Sequence, residues 1–382
     1  MLKAILVNPF MIVGFSFLVS YLLYTFPFSN KYYELDFTSI LPGLYFILLN
    51  FFGGIIWSKL NLFYSKGRGA QYKSTAKIKI NILGAIVVLL ILIEFFIYGI
   101  PLLGHVAYTD FGAPIIHVAL VSSMLVLSIL SCFNYSTSSK WMYISLFISI
   151  LILNRFLILF IFISSIIVYL CSANIRFKKL FVVILGVIFF IYLFGVLGTW
   201  RMSNIMDVPY KQAQDYILTA GNASDYYKDT GLPVSVFWFW VYVTSPLSNF
   251  VLNIKFNEVG DLYNIINVIS FELFPQTISK HLGEYPIEVM LLSENLNVST
   301  AVTPVYVALG YLGITIYFLY YSSVFFLVTL MLKGDMRKVI IVLFSTLSMF
   351  MIFFNVIIMP IFIFSILVSF FMSLSVTRNL RC

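Results

Sequence analysis

Two arginines stand where a lipid-facing chain should avoid them. Arg155 lies in "ISILILNRFLILFIFI" (148–163), inside an otherwise apolar run, and Arg201 closes another such run in "GTWRMSN". A guanidinium is a planar fork of donors that stays charged, and it matches phosphate oxygens two at a time. A pair at headgroup level therefore suits a lipid-linked diphosphate, although a single arginine there also suits snorkelling to phospholipid phosphates. A second cluster, "SKHLGEYPIE", places His281 beside Lys280, Glu284 and Glu288. A histidine with two nearby carboxylates can supply a general base for a sugar hydroxyl, although a solvated loop turn has the same composition. Glu94 in "LLILIEFFIYGI" is the one acid well inside an apolar run. It reads as an ion-pair partner for Arg155 or as a proton carrier. No HExxH and no DxD-like pair occurs, and His105 and His117 lack ligand spacing, so no metal or other cofactor is expected.

The elements that must hold these groups are membrane helices. The chain has 382 residues, 61% hydrophobic and only 10% charged, with a mean hydropathy of +1.01. Soluble domains carry about 25% charged residues. The net charge of +8 then reports orientation rather than nucleic-acid binding. Cys132, Cys171 and Cys382 show no pairing pattern. The N-terminal apolar stretch lacks an A-x-A-like cleavage site and reads as an uncleaved first helix.

Apolar runs fall near 9–27, 37–57, 78–100, 114–133, 141–153, 156–173, 180–199, 304–332, 339–354 and 356–376. Ten spans in alternation put sixteen of the 23 basic residues on one side, including Lys59, Lys66, Arg68, Lys140, the "RFKK" cluster and "KGDMRK". By the positive-inside rule that side is cytoplasmic, with both termini. Of the 15 acids only Asp335 falls there. Trp57, Trp141 and Trp200 fall at span ends, where indoles prefer to sit. The run 141–171 would reach about 46 Å as one helix against a core of about 30 Å, so it is expected to be a hairpin with Asn154-Arg155 at its outer tip. A second hairpin is expected to turn at Asn355 in "FFNVIIMP".

The expected organisation is a seven-helix region (1–199), a large outer loop (200–303) and a three-helix region (304–382). Within the loop, "PVSVFWFWVYVTSPLSNF" (233–250) is apolar only up to Thr244-Ser245-Pro246. It reads as too short to span, and so as an interfacial or re-entrant element. Gly310 and Gly313 in "ALGYLG" are expected to permit close helix packing, and Thr303-Pro304 to open a helix.

This organisation resembles the Wzy-type O-antigen (oligosaccharide repeat-unit) polymerases of bacteria. The resemblance rests on the order of "NRF" (Arg155), "GTWRMSN" (Arg201), "VYVTSPLSNF", "ISKHLGE" (His281) and "NLNVSTAVTPVYVALGYLG". It implies an all-helical, GT-C-like glycosyltransferase of the bacterial inner membrane, needing no metal and working at the periplasmic face in lipopolysaccharide or related polysaccharide biosynthesis. Its partners would be undecaprenyl-diphosphate-linked glycans, membrane lipid and a chain-length regulator. Arg155 and Arg201 would hold the diphosphate, His281 would lie by the reacting groups, and Asn297 and Thr300 would line the site. Glu284 as base, with Lys280 and Glu288 beside it, comes from local spacing alone. An O-antigen ligase, a transporter or flippase of lipid-linked sugars, and a membrane acyltransferase remain as other readings.

Overall fold

The computed structural model describes residues 7–60, 72–133, 135–172 and 177–377. Lys3, Lys66, Arg68, Arg176, Arg378, Arg381 and Cys382 lie outside the described residues. The described chain is helical throughout, with a single isolated bridge, Ser29 to Ala223, as its only extended pairing. The helices of more than ten residues are α1 (Pro9–Tyr24), α2 (Phe37–Leu60), α3 (Tyr72–Tyr98), α4 (Pro114–Phe133), α5 (Tyr135–Leu151), α6 (Arg155–Ser172), α7 (Phe177–Met206), α8 (Tyr210–Ala220), α9 (Val234–Phe256), α10 (Thr303–Met331), α11 (Gly334–Ser348) and α12 (Pro360–Thr377). Six of them (α2, α3, α4, α7, α9 and α10) are long and apolar enough to cross a membrane. That marks an α-helical membrane protein.

The 141–171 run is two helices. Ile152 to Asn154 turn between α5 and α6, and the turn is a Schellman closure: Leu153 N donates to Ile150 O and Asn154 N to Ser149 O, both at 3.0 Å. That closure needs a left-handed residue, and Leu153 occupies the position at φ 54°. A side chain with a Cβ pays about 1–2 kcal/mol there. Asn154 then caps α6, its Oδ1 accepting from Leu157 N at 3.1 Å. One dipeptide ends one helix and starts the next.

The two ends of the bundle differ in charge. At one end sit Lys59 in the last turn of α2, Lys79 bonded to Met372 O, and Lys140 over the Trp141 ring. Arg337 is there too, its Nε donating to Thr329 O and Leu332 O at the close of α10. Trp57 and Trp141 are at this end as expected, but they pack inward: Trp57 lies edge-on to Phe325 at 4.6 Å, and Trp141 Nε1 donates to Asn81 Oδ1.

At the other end α9 departs from the sequence reading. It runs unbroken through Pro246 for 23 residues, because proline removes one backbone donor and the surrounding packing holds the helix in place. Trp240 Nε1 donates to Leu23 O at the close of α1. Fifteen residues later, about 22 Å along the axis, Lys255 pairs with Asp36 at the start of α2. Both ends of α9 thus meet the α1–α2 connection, and the helix lies across that end of the bundle. Asp36 caps α2: its carboxylate accepts from Ser39 N and Thr38 Oγ1. Those bonds, chiefly the Ser39 N–H, and the Lys255 ammonium hold its pKa well below the usual carboxylate range.

Gly310 of "ALGYLG" does a different job from helix packing. Gly310 sits at φ 59°, ψ −137°, a conformation nearly closed to other residues, and breaks α10 seven residues after it starts. The freed Val307 carbonyl accepts from Gly260 N at 2.9 Å. The broken first turns of α10 thereby dock onto the chain that follows α9.

Candidate functional site

Arg155 opens α6 and Arg201 lies in the C-terminal part of α7, which continues past it to Met206. The two arginines line one small cleft with Ile150, Leu153, Ile158 and Leu197. Residues distant in sequence are brought together because the α5–α6 turn places the first residue of α6 against α7. The Arg155 guanidinium lies 5.4 Å from the Phe194 ring, 5.7 Å from Tyr242 and 5.9 Å from Trp238. These faces favour the cation and fix its plane. Trp238 comes from α9, so the helix lying across the bundle end supplies one wall of the cage. It can do so because residue 198 is glycine: a Cβ there would collide with the Trp238 indole nitrogen and reach Arg155 Nη1 at 3.1 Å. The Trp238 N–H is buried with no hydrogen-bond partner among the described residues. Two guanidinium groups on one cleft are chemically suited to an anion, while the Trp238 N–H lies against Gly198 rather than among the cleft-lining residues.

The second cluster stays apart from this cleft. Lys280, His281, Glu284 and Glu288 are exposed on the segment after the short helix Gln276–Ser279, and none of them lines the arginine cleft. Asn297 is exposed at the end of a single turn (Glu294–Leu296). Thr300 is buried, its hydroxyl 2.9 Å from that of Thr303. Among the described residues no group of three His, Cys, Asp or Glu side chains is placed to hold a metal ion.

The segment carrying these residues is held by a row of asparagines on α9 and at its C-cap that composition did not single out. Asn249, Asn253 and Asn257 recur every four residues, the first two on one helix face and the third capping the helix end. Asn249 Nδ2 donates to Leu296 O and Val298 O while its Oδ1 accepts from Leu292 N. Asn253 exchanges bonds with both the N–H and the carbonyl of Met290, and Asn257 Nδ2 donates to Glu288 O. The spacing was visible in "SNFVLNIKFN", but nothing in the sequence said which backbone it would serve.

Two buried acids also find partners. Glu94 pairs with His117 at 3.1 Å rather than with Arg155, because α3 and α4 are packed neighbours. Glu272 lies in a π-helical turn (Val268–Leu273) and is 4% exposed. Tyr285 O–H donates to its Oε1, and Asn355 Nδ2 donates to its Oε2 and to its backbone carbonyl. Asn355, expected at a hairpin turn, sits between two single turns (Met349–Ile352 and Val356–Ile358) and ties them to the π-helical turn that carries Glu272. Burial raises the Glu272 pKa against the lowering effect of these bonds. Its proton is kept in the folded state above the pH at which the unfolded chain releases it. The stabilisation is therefore complete below about pH 4.5, the model-peptide range, and is lost as pH rises through the folded-state value. Thermal unfolding in detergent should show the wild type losing stability relative to Glu272→Gln between pH 5 and pH 8. A stability difference that stays constant, or that shifts in favour of the wild type as pH rises, would contradict this.

The chain matches no protein-family model, no curated protein and no solved structure.

Proposed function

We propose that this chain is a membrane glycosyltransferase that joins undecaprenyl-diphosphate-linked oligosaccharide units into a surface polysaccharide. It works at the periplasmic face of the bacterial inner membrane, with both termini cytoplasmic and ten spans between them. The observation that carries this reading is the convergence of Arg155 and Arg201 on one cleft, at the end of the bundle away from Lys59, Lys140 and Arg337. Cleaving a glycosyl diphosphate leaves charge on the leaving oxygens. Fixed guanidinium groups there stabilise the transition state more than the ground state. A diphosphate leaving group needs little protonation, so the reaction does not call for the paired carboxylates of a glycoside hydrolase. The acceptor hydroxyl still has to lose a proton; His281 and Glu284 do not line the cleft, so they serve as participants only where the acceptor reaches their segment.

The ligase reading shares this donor and differs in acceptor. The break in α10 at Gly310 favours a third reading, a carrier for lipid-linked sugars, since such proteins bind at interrupted helices. Deleting the gene and resolving the surface polysaccharide on a gel separates all three. Polymerase activity predicts loss of the ladder with a single repeat unit still attached. Loss of that unit as well would transfer the proposal to the ligase or the carrier.

A further inference from the structure

Beyond the arginine cleft, the end of α7 borders an open pocket of about 580 Å³ that neither the diphosphate nor the acceptor reading uses. That lies within the roughly 300–1,000 Å³ of small-molecule sites. One wall is apolar, formed by Leu102, Leu103 and Gly104 in the α3–α4 connection. The other presents Ser203, Asn204 and Asp207 from the end of α7. We infer that this pocket holds the sugar ring of the lipid-linked substrate next to its diphosphate, with Asn204 and Asp207 as the partners of its hydroxyl groups. The inference rests on the diphosphate reading of Arg155 and Arg201.

Three observations support it. First, Asn204 follows Arg201 by three residues, so the two share a helix face and are about 4.5 Å apart along the axis. The ring of a glycosyl diphosphate begins one bond beyond a phosphate oxygen, so a donor gripped at Arg201 brings its first sugar to this pocket. Second, the wall chemistry is that of a pyranose site. Leu102 and Leu103 can meet the C–H face of a ring, while an amide and a carboxylate can exchange hydrogen bonds with its hydroxyls. Asn204 and Asp207 are both exposed, and neither side chain spends its hydrogen-bonding capacity on the described protein. Third, the Asp207 position is fixed rather than loose. Asp207 takes the left-handed conformation, φ 51°, that closes α7. Val208 N donates to Ser203 O at 3.1 Å, and Ser203 Oγ donates to Val208 O at 2.6 Å. A glycine would satisfy this turn at lower cost, so the carboxylate is not there to make the turn.

The test uses the full chain in lipid nanodiscs and two probes, undecaprenyl diphosphate and the same lipid carrying one N-acetylhexosamine. The wild type should bind the sugar-bearing probe about tenfold more tightly. Asn204→Ala is compatible with the helix, and Asp207→Gly relieves the left-handed residue without unfolding the turn. Both should abolish that preference and leave affinity for the bare diphosphate unchanged. Retention of the full preference in both variants overturns the pocket assignment while the arginine cleft stands. If the wild type binds bare undecaprenyl diphosphate no better than undecaprenol, the diphosphate reading falls and the pocket assignment falls with it.

Discussion

Arg155→Lys should abolish most polymer while leaving the protein in the membrane at wild-type abundance. Lysine keeps the charge, and its ammonium can still lie against Phe194, Trp238 and Tyr242. What it loses is the planar fork that meets two phosphate oxygens together. Losing one charge-assisted bond costs about 1.5–3 kcal/mol, which corresponds to roughly 10–150-fold in rate if the bond strengthens in the transition state. Arg201→Ala removes a donor outright and should cost about 10²–10³-fold, the range for loss of one oxyanion-stabilising group. The measurement is polymer formed per unit of enzyme in reconstituted membranes with a lipid-linked repeat unit as substrate. A normal rate for Arg155→Lys would reduce Arg155 to an anchor for the α5–α6 turn. A normal rate for Arg201→Ala would remove the cleft from the mechanism.

Much of this arrangement can be read along the chain, and what cannot has physical causes. Length and charge alone predict the break at Asn154-Arg155, since a span has a fixed thickness to match and asparagine caps helices by a local bond. The left-handed Leu153 is not predictable, because leucine is disfavoured there and only the assembled turn tolerates it. The length of α9 is misread for a similar reason: proline and the polar residues around it argue against a helix locally, and tertiary packing overrides them. A residue's type is visible in the sequence but its partner is not. Glu94 stands out as an intramembrane acid, but the choice between Arg155 and His117 is made by which helices are neighbours. Glu272 escapes notice because an acid in a polar loop looks solvated until the fold covers it.

Asn249→Asp should be more damaging than its near-identical size suggests, and its damage should grow with pH. Asn249 is fully buried and gives both amide protons to backbone carbonyls, those of Leu296 and Val298, while taking one from Leu292 N. A carboxylate keeps the shape and the Leu292 bond but turns both donors into acceptors facing carbonyl oxygens. Desolvation and these oxygens together favour the protonated acid, which restores one of the two donated bonds. At pH 5 the variant should therefore lose about one hydrogen bond, roughly 1–3 kcal/mol for a buried group left unsatisfied. At pH 8 it must either hold its proton at a rising cost or release the segment, and the penalty should increase by up to about 1.4 kcal/mol per pH unit until the segment detaches. Asn249→Ala removes all three bonds and leaves a cavity, but it introduces no charge, so its penalty should not change with pH. Thermal unfolding of both variants in detergent at the two pH values, with protease cleavage mapped between residues 288 and 298, measures these effects. The segment should become cleavable in Asn249→Asp at pH 8 before the helices unfold, and polymer formation should fall at the same pH. If the aspartate variant is as protected at pH 8 as at pH 5, the asparagine row does not hold this segment by its donors. The placement of Asn297 and Thr300 would then have to come from α10 and from the bond between Ala301 N and Met351 O.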